Sequence, residues 1–270
     1  MQAIRPAAVA GAFYPGLAAD LRRQIEDYLA EAAGQAPGQD TWPKALIVPH
    51  AGYIYSGPVA AAAYARLAPA RGQVRRVVLL GPVHRVPVRG LALPEASGLE
   101  TPLGIVPVDA EAARAIADVP QVQRNAAAHA WEHALEVQLP FLQVVLGDFQ
   151  VLPLAVGSAR PAEVAEVLER VWGGPETVIL VSSDLSHYLP YPTARQVDGQ
   201  TAQSILALHG GLSHEEACGA TPVNGLLLSA SQRRLRPELL DLRNSGDTAG
   251  PRDQVVGYGA FAFYEDEEKA

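Results

Sequence analysis

Four short apolar runs constrain the fold of this chain more than any other feature. KALIVPH ends at His50, VRRVVLLGPVH at His84, QVLPLAVG near Gly157, and TVILVSSDLSH at His187. Each contains a continuous apolar stretch rather than an alternating one, which is how a strand buried on both faces reads. Ser56-Gly57-Pro58 then opens the Ala-rich VAAAAYARLA, and helical stretches follow the last two runs at about 161–172 and 193–208. Strand and helix in alternation predict an α/β fold, a mainly parallel sheet with helices on both faces.

Between the second and third runs, GLALPEASGLETPLGIVPVD reads as an inserted β-hairpin that decorates the sheet, ahead of a helix near 109–117. The last quarter predicts a helix near 222–232, a strand around ELLDL that tolerates Pro237, and a final strand VVGYGAFAFYE. With no repeat, linker or composition break, one domain is expected over 1–270, with a short acidic, disordered tail at about 265–270.

Charge narrows the partners. The 21 Lys+Arg against 29 Asp+Glu leave a formal charge of -8, and no basic run exceeds a pair of arginines. Nucleic acid and anionic membrane are therefore not expected partners. A single cysteine, Cys218, forbids an internal disulfide and any thiolate-rich metal site, which suits a reducing compartment. Neither a signal-peptide-like stretch nor a run of about 18 apolar residues occurs, so a cytoplasmic location is expected.

The chemistry sits at the run ends. In a parallel sheet all carboxyl ends lie on one edge, where ligands bind, so His50, His84 and His187 can converge. Imidazoles arriving there suit an ion such as Zn²⁺ or Fe²⁺, completed by a carboxylate or water; alternatively, each caps a strand end. His129-Ala130-Trp131-Glu132-His133 matches the H-x-x-E-H string of inverted zinc peptidases. On one continuous helix His129, His133 and Glu136 would share a face opposite Trp131, Leu135, Leu139, Leu142 and Leu146. The competing reading, a solvated polar face with no metal site of its own, is the one adopted at this level. Tyr53 and Tyr55 follow His50 and can meet a substrate or simply pack. Cys218 reads as a small core residue and His209 and His214 as solvent-facing, while Ser182-Ser183-Asp184 lacks a nucleophile elbow.

RPAAVAGAFYP, VPHAGYIYSG, LLGPVHR, TPLGIVPVD, EHALEVQLPFL, SSDLSHY and NSGDTAG followed by VVGYGAFAF together resemble the Memo-like family, in family order from residue 5 to about 263. Prokaryotic members are grouped as protein B of the AmmeMemoRadiSam system. The resemblance implies a fold similar to class III extradiol (LigB-type) dioxygenases, with AMMECR-type and radical-SAM proteins as partners. It also implies a pocket lined by His50, His84, His187 and Asp184, with His50 and His84 as metal ligands, His187 as acid–base group and Asp184 orienting it. Tyr55 is the expected substrate contact. The cysteine that completes the metal set in animal members does not carry over, because Thr248 stands at its place beside Asp247. Asp247 is then either a third ligand, giving the two-His-one-carboxylate set of non-haem iron enzymes, or the acceptor of an Asx-type turn. Fe²⁺ is the first expectation for the ion, with Zn²⁺ or copper as alternatives. The implied activity is redox chemistry on a small organic substrate; a non-catalytic partner role and a metal-dependent hydrolase are the rivals.

Overall fold

The computed structural model describes residues 3–34 and 41–265. Residues 266–270, most of the segment expected to be a disordered tail, lie outside the described residues.

The four apolar runs form the centre of the sheet. Strands β2 (Ala45–Val48), β3 (Arg76–Pro82), β8 (Gln150–Val156) and β9 (Thr177–Ser182) lie side by side in the order β2-β9-β3-β8, every pairing parallel. Nearly every residue in them is buried, as continuous apolar runs require.

The sheet as a whole is mixed, because its flanks run the other way. On one side β12 (Val255–Tyr264) pairs antiparallel with β2, with β11 (Arg236–Asn244) and with the short β10 (His187–Leu189). On the other, β4 (Leu91–Leu93) runs antiparallel to β8 and carries β7 (Val122–Arg124) as its edge. The expected insertion thus divides. Its first piece, β4, joins the main sheet, while β5 (Gly98–Thr101) and β6 (Gly104–Pro107) form the hairpin and pair with β1 (Ile4–Arg5) in a separate three-stranded sheet.

Helices cover both faces and divide the core into two apolar layers. One layer lies under α1 (Ala18–Ala33), α2 (Tyr53–Ala65) and α5 (Leu139–Leu146). The other lies under α3 (Ala110–Ala115), α6 (Pro161–Val171), α7 (Tyr191–Leu206) and α8 (Ala220–Gln232). Helix α1 was legible only as the spacing of Leu21 and Ile25, its two buried residues, and is absent from the expectations above. Helix α2 starts at Tyr53, three residues before the expected cap, and Ser56 Oγ instead donates to the Ala51 carbonyl at 2.8 Å.

The largest departure from expectation lies between residues 126 and 146. Helix α4 (Ala126–Ala130) ends after five residues, a non-helical link follows, and one 3-10 turn (Glu136–Gln138) leads into α5. A helical wheel drawn through this segment therefore fails. His129, Glu132 and Glu136 are buried, whereas Trp131, assigned to the apolar side, is 66% exposed. The link crosses the carboxyl edge of the sheet instead of lying along its face, so its polar side chains turn inward to bond strand ends.

No helix among the described residues is long and apolar enough to cross a membrane.

Candidate metal centre

Two residues beyond the end of β2 lies His50, and two beyond the end of β3 lies His84. The link between α4 and α5 adds His133, and the three offer ligand atoms that all lie within 4.8 Å of one another. Their ring centroids are 5.2 Å (His50–His84), 5.5 Å (His50–His133) and 4.6 Å (His84–His133) apart. Gly81 makes the approach of the link feasible: a Cβ there would stand 3.0 Å from Leu135 and 3.3 Å from Ala134.

Hydrogen bonding decides which nitrogens are free. Ser182 Oγ donates its one proton to the Ala134 carbonyl at 2.6 Å and accepts from Gln138 Nε2 at 2.8 Å. Its 2.9 Å contact with His50 Nδ1 must therefore be a donation from the imidazole, which leaves the His50 Nε2 lone pair free. His84 Nδ1 lies 2.8 Å from the Glu132 carboxylate, which can only accept when ionised, so its Nε2 is free as well. His133 Nδ1 faces the same oxygen at 3.5 Å. Carboxylate or hydroxyl partners on the outer nitrogen of each ring are what orient imidazoles for a metal.

Two of the rings, His50 and His133, are held neutral. Burial, then the neighbouring His84, lowers the His50 pKa to about 3; burial, then His50, lowers that of His133 to about 4. Both are thus unprotonated at neutral pH, the form that binds metal. For Glu132, burial favours the neutral acid, but donation from His84 and from the Ala134 and His84 amides outweighs it and brings the pKa to about 2. Glu132 was invisible as a site residue because it bonds the candidate ligands His84 and His133 and is not itself in the group that could hold an ion. Glu132→Gln should leave the chain folded yet weaken metal retention by ~10–100-fold, the usual cost of losing such an outer partner. Equal retention by wild type and variant in competition with a chelator would remove Glu132 from that role.

The other expected site residues are placed as follows. Asp184 is buried, and its Oδ1 accepts from the His50 amide at 2.7 Å while Oδ2 lies 3.9 Å from His50 Nε2. Burial raises its pKa. Asp184, expected to orient His187, makes no hydrogen bond to it among the described residues; His187 Nδ1 donates to the Leu185 carbonyl at 2.8 Å. That contact leaves His187 Nε2 as an acceptor. Tyr55 is half-buried on the first turn of α2, and the Tyr53 hydroxyl is committed to the Val137 carbonyl at 2.6 Å.

Asp247 stands apart from the three imidazoles. It closes the turn after β11, with Oδ2 accepting from the Asn244 amide at 3.1 Å and Oδ1 from the Tyr191 hydroxyl at 2.6 Å, beside Arg252. The turn alternative describes this carboxylate. His129 is likewise engaged elsewhere, its Nε2 donating to the Ala92 carbonyl at 2.8 Å. Cys218, read as a core residue, has Sγ 3.3 Å from His50 Nε2, and burial pushes its thiol pKa up to about 12.

Fold and site together define an α/β protein with a three-imidazole group at the carboxyl edge of its sheet. The family model for "Memo-like protein" matches residues 5–262, and the chain belongs to that family. It is 38% identical over 283 residues to a MEMO1 family protein of Ignicoccus hospitalis, covering 96% of this chain and 98% of that one. A MEMO1 family protein of Aquifex aeolicus is 36% identical over 273 residues, covering 96% and 99%. Among solved structures, an uncharacterized protein of Escherichia coli K12 shares the fold with a TM-score of 0.52 at 13% identity, over 82% of this chain and 100% of that one.

Proposed function

We propose that this protein is a metal-dependent enzyme acting on a small organic molecule, its ion held by His50, His84 and His133. The observation that supports it is the convergence of three imidazoles, each with Nδ1 facing an oxygen, that offer ligand atoms within 4.8 Å of one another. The donor set fits a borderline divalent ion: imidazole suits iron, zinc and copper alike. With no carboxylate in the group, the argument for iron from a two-His-one-carboxylate set does not carry over, and Fe²⁺ rests on the family resemblance.

When bound, such an ion would supply Lewis acidity, activation of water and, for iron or copper, electron transfer. The chain's own residues supply the rest. Access is from the His84 side, where 31% of that side chain is exposed against 2% of His50. In this reading His187 acts as general base through Nε2, a role supported by the Leu185 carbonyl that holds its Nδ1. Asp184 acts on the centre by fixing the His50 backbone. Tyr55 and the exposed Tyr188, next in chain to His187, are the proposed substrate contacts. Redox chemistry is the reading we favour. Hydrolysis is the second, supported by the all-imidazole set, which zinc enzymes also use.

Elemental analysis of protein purified without affinity tag or chelator should find one divalent metal per chain. Turnover that needs oxygen would assign redox chemistry, and equal anaerobic turnover hydrolysis. His187→Ala should abolish turnover and keep the metal, since no ligand is removed. A metal-free, inactive wild type would sink the enzyme reading and move the partner role, with AMMECR-type and radical-SAM proteins, to first place.

A further inference from the structure

At the amino edge of the sheet lies a cleft of about 1090 Å³ whose charge runs against that of the chain. Arg75 precedes β3 and Gln150 opens β8, whereas His84 lies past the far end of β3, so cleft and imidazoles occupy opposite edges. Arg22, Arg71 and Arg75 line the cleft, with Asp148 as its one acidic lining residue, in a chain of formal charge -8. Neighbouring Arg23 and Arg76 are ion-paired with Asp20 and Asp109, but none of the three has such a partner among the described residues. Arg71 donates Nη1 to the Val144 and Val145 carbonyls at 2.8 and 3.0 Å, which holds it at the end of α5. The side chains of Arg22 and Arg75 are exposed.

The other wall is the β5–β6 hairpin, fastened to α5 by Gln143, whose Nε2 donates to the Gly104 carbonyl at 3.2 Å. It presents Leu103 and Ile105 to the cleft, and Ile105 is 55% exposed. Strand β6 is also the edge of its three-stranded sheet. The Val108 amide donates to the Ser97 carbonyl and the register pairs Val106 with Leu99, so residues in step with Val108 turn their main-chain groups toward β5. Ile105 is out of step with them. Its amide and carbonyl therefore turn to the open edge.

Unpaired guanidinium groups together with aliphatic side chains and an open strand edge suit an extended chain better than a compact anion. A phosphate group would engage the arginines and leave the hairpin wall uncovered. A nucleotide base would find no exposed ring, because the one aromatic lining residue, Phe149, is 7% exposed. From this juxtaposition we infer that the cleft binds an extended acidic segment of a partner protein, one in which carboxylates alternate with aliphatic side chains. Alternate side chains of an extended segment point to opposite sides, so carboxylates meet Arg22 and Arg75 while aliphatic groups cover Leu103 and Ile105. Its backbone adds beside Ile105. A partner docked here leaves the carboxyl edge open, and the inference does not depend on whether a metal binds there.

The test is fluorescence anisotropy of a labelled Glu-Val-Glu-Val-Glu-Val-Glu peptide titrated with the full chain. Binding should be saturable at low salt and weaken as salt is added, and the same peptide with Lys in place of Glu should not bind. Replacing Arg22→Glu and Arg75→Glu together should weaken binding at least about tenfold, since like charges then face the carboxylates. Arg71 stays in place because it holds the end of α5. Ile105→Ser should weaken binding by about threefold or more, through lost apolar cover at an exposed position that the fold does not need. A block peptide of the same composition, Glu-Glu-Glu-Glu-Val-Val-Val, should bind more weakly, and tripolyphosphate should displace the alternating peptide only in large excess. Equal binding of the block peptide would overturn the extended mode, and displacement by tripolyphosphate at matching concentration would make this a small-anion site instead. Unchanged affinity in the double variant, or no saturable binding by wild type at low salt, would overturn the cleft as the docking surface.

Discussion

His133→Ala is expected to strip the centre of its ion. The substitution removes one of three converging imidazoles and leaves Glu132 with a single ring to orient, so retention should fall by more than the ~10–100-fold cost of losing an outer partner. His133 is itself half-buried and lies on a link outside any regular element, so the folded state should survive, and a cooperative thermal transition will show it. Two controls separate this from a general weakening. Asp247→Asn alters a turn carboxylate bonded to Asn244 and Tyr191 and should keep the metal. His129→Ala removes a bond to the Ala92 carbonyl and should lower stability while keeping the metal. Metal lost from Asp247→Asn and retained by His133→Ala would return the third ligand to the carboxylate.

Glu136→Ala should carry the largest stability cost. Its carboxylate is buried and ion-paired with Arg5, and it also accepts from the Ala8 amide at 2.7 Å, the Val9 amide at 3.0 Å and the Tyr14 hydroxyl. Arg5 in turn donates to the carbonyls of His129 and Glu132 at 2.8 and 2.6 Å, so the pair ties the N-terminal segment to the link that carries His133. Truncating one partner leaves the Arg5 charge buried and unpaired, a loss of about 3–5 kcal/mol. For a chain of this size that lowers Tm by on the order of 10 °C. Metal affinity should fall with it, because the link loses its anchor. Glu136→Gln, which keeps the shape and part of the hydrogen bonding, should lie between. A Tm within a degree of wild type for Glu136→Ala would mean that the pair contributes no net stability.

Both predictions concern a segment whose structure the sequence pattern misrepresented. The spacing of His129, His133 and Glu136 fits one helical face, but the wheel assumes unbroken backbone. Here the Glu132 carboxylate takes the Ala134 and His84 amides, and the chain leaves helical geometry after Ala130. Burial then inverts: the polar residues go in and Trp131 goes out.

Much else was local and therefore legible. Continuous apolar runs specify buried strands through their own composition, and helices of matching length between them leave parallel pairing as the economical arrangement, which the four central strands adopt. The direction of the flanking strands was not legible, since antiparallel pairing of β12 with β2 depends on where β11 leads the chain. At the site, His50 and His84 announced themselves by ending strands, because strand polarity alone assigns their edge. His133 and Cys218 reach that edge only through tertiary packing: a helix broken by a buried carboxylate, a glycine at 81 that admits the link, and a glycine at 219 that lets a remote turn press against Ser183. Residue spacing encodes faces and edges of regular elements. Which irregular segments fold over them is decided by the long-range hydrogen bonds and close contacts that form when the sheet assembles.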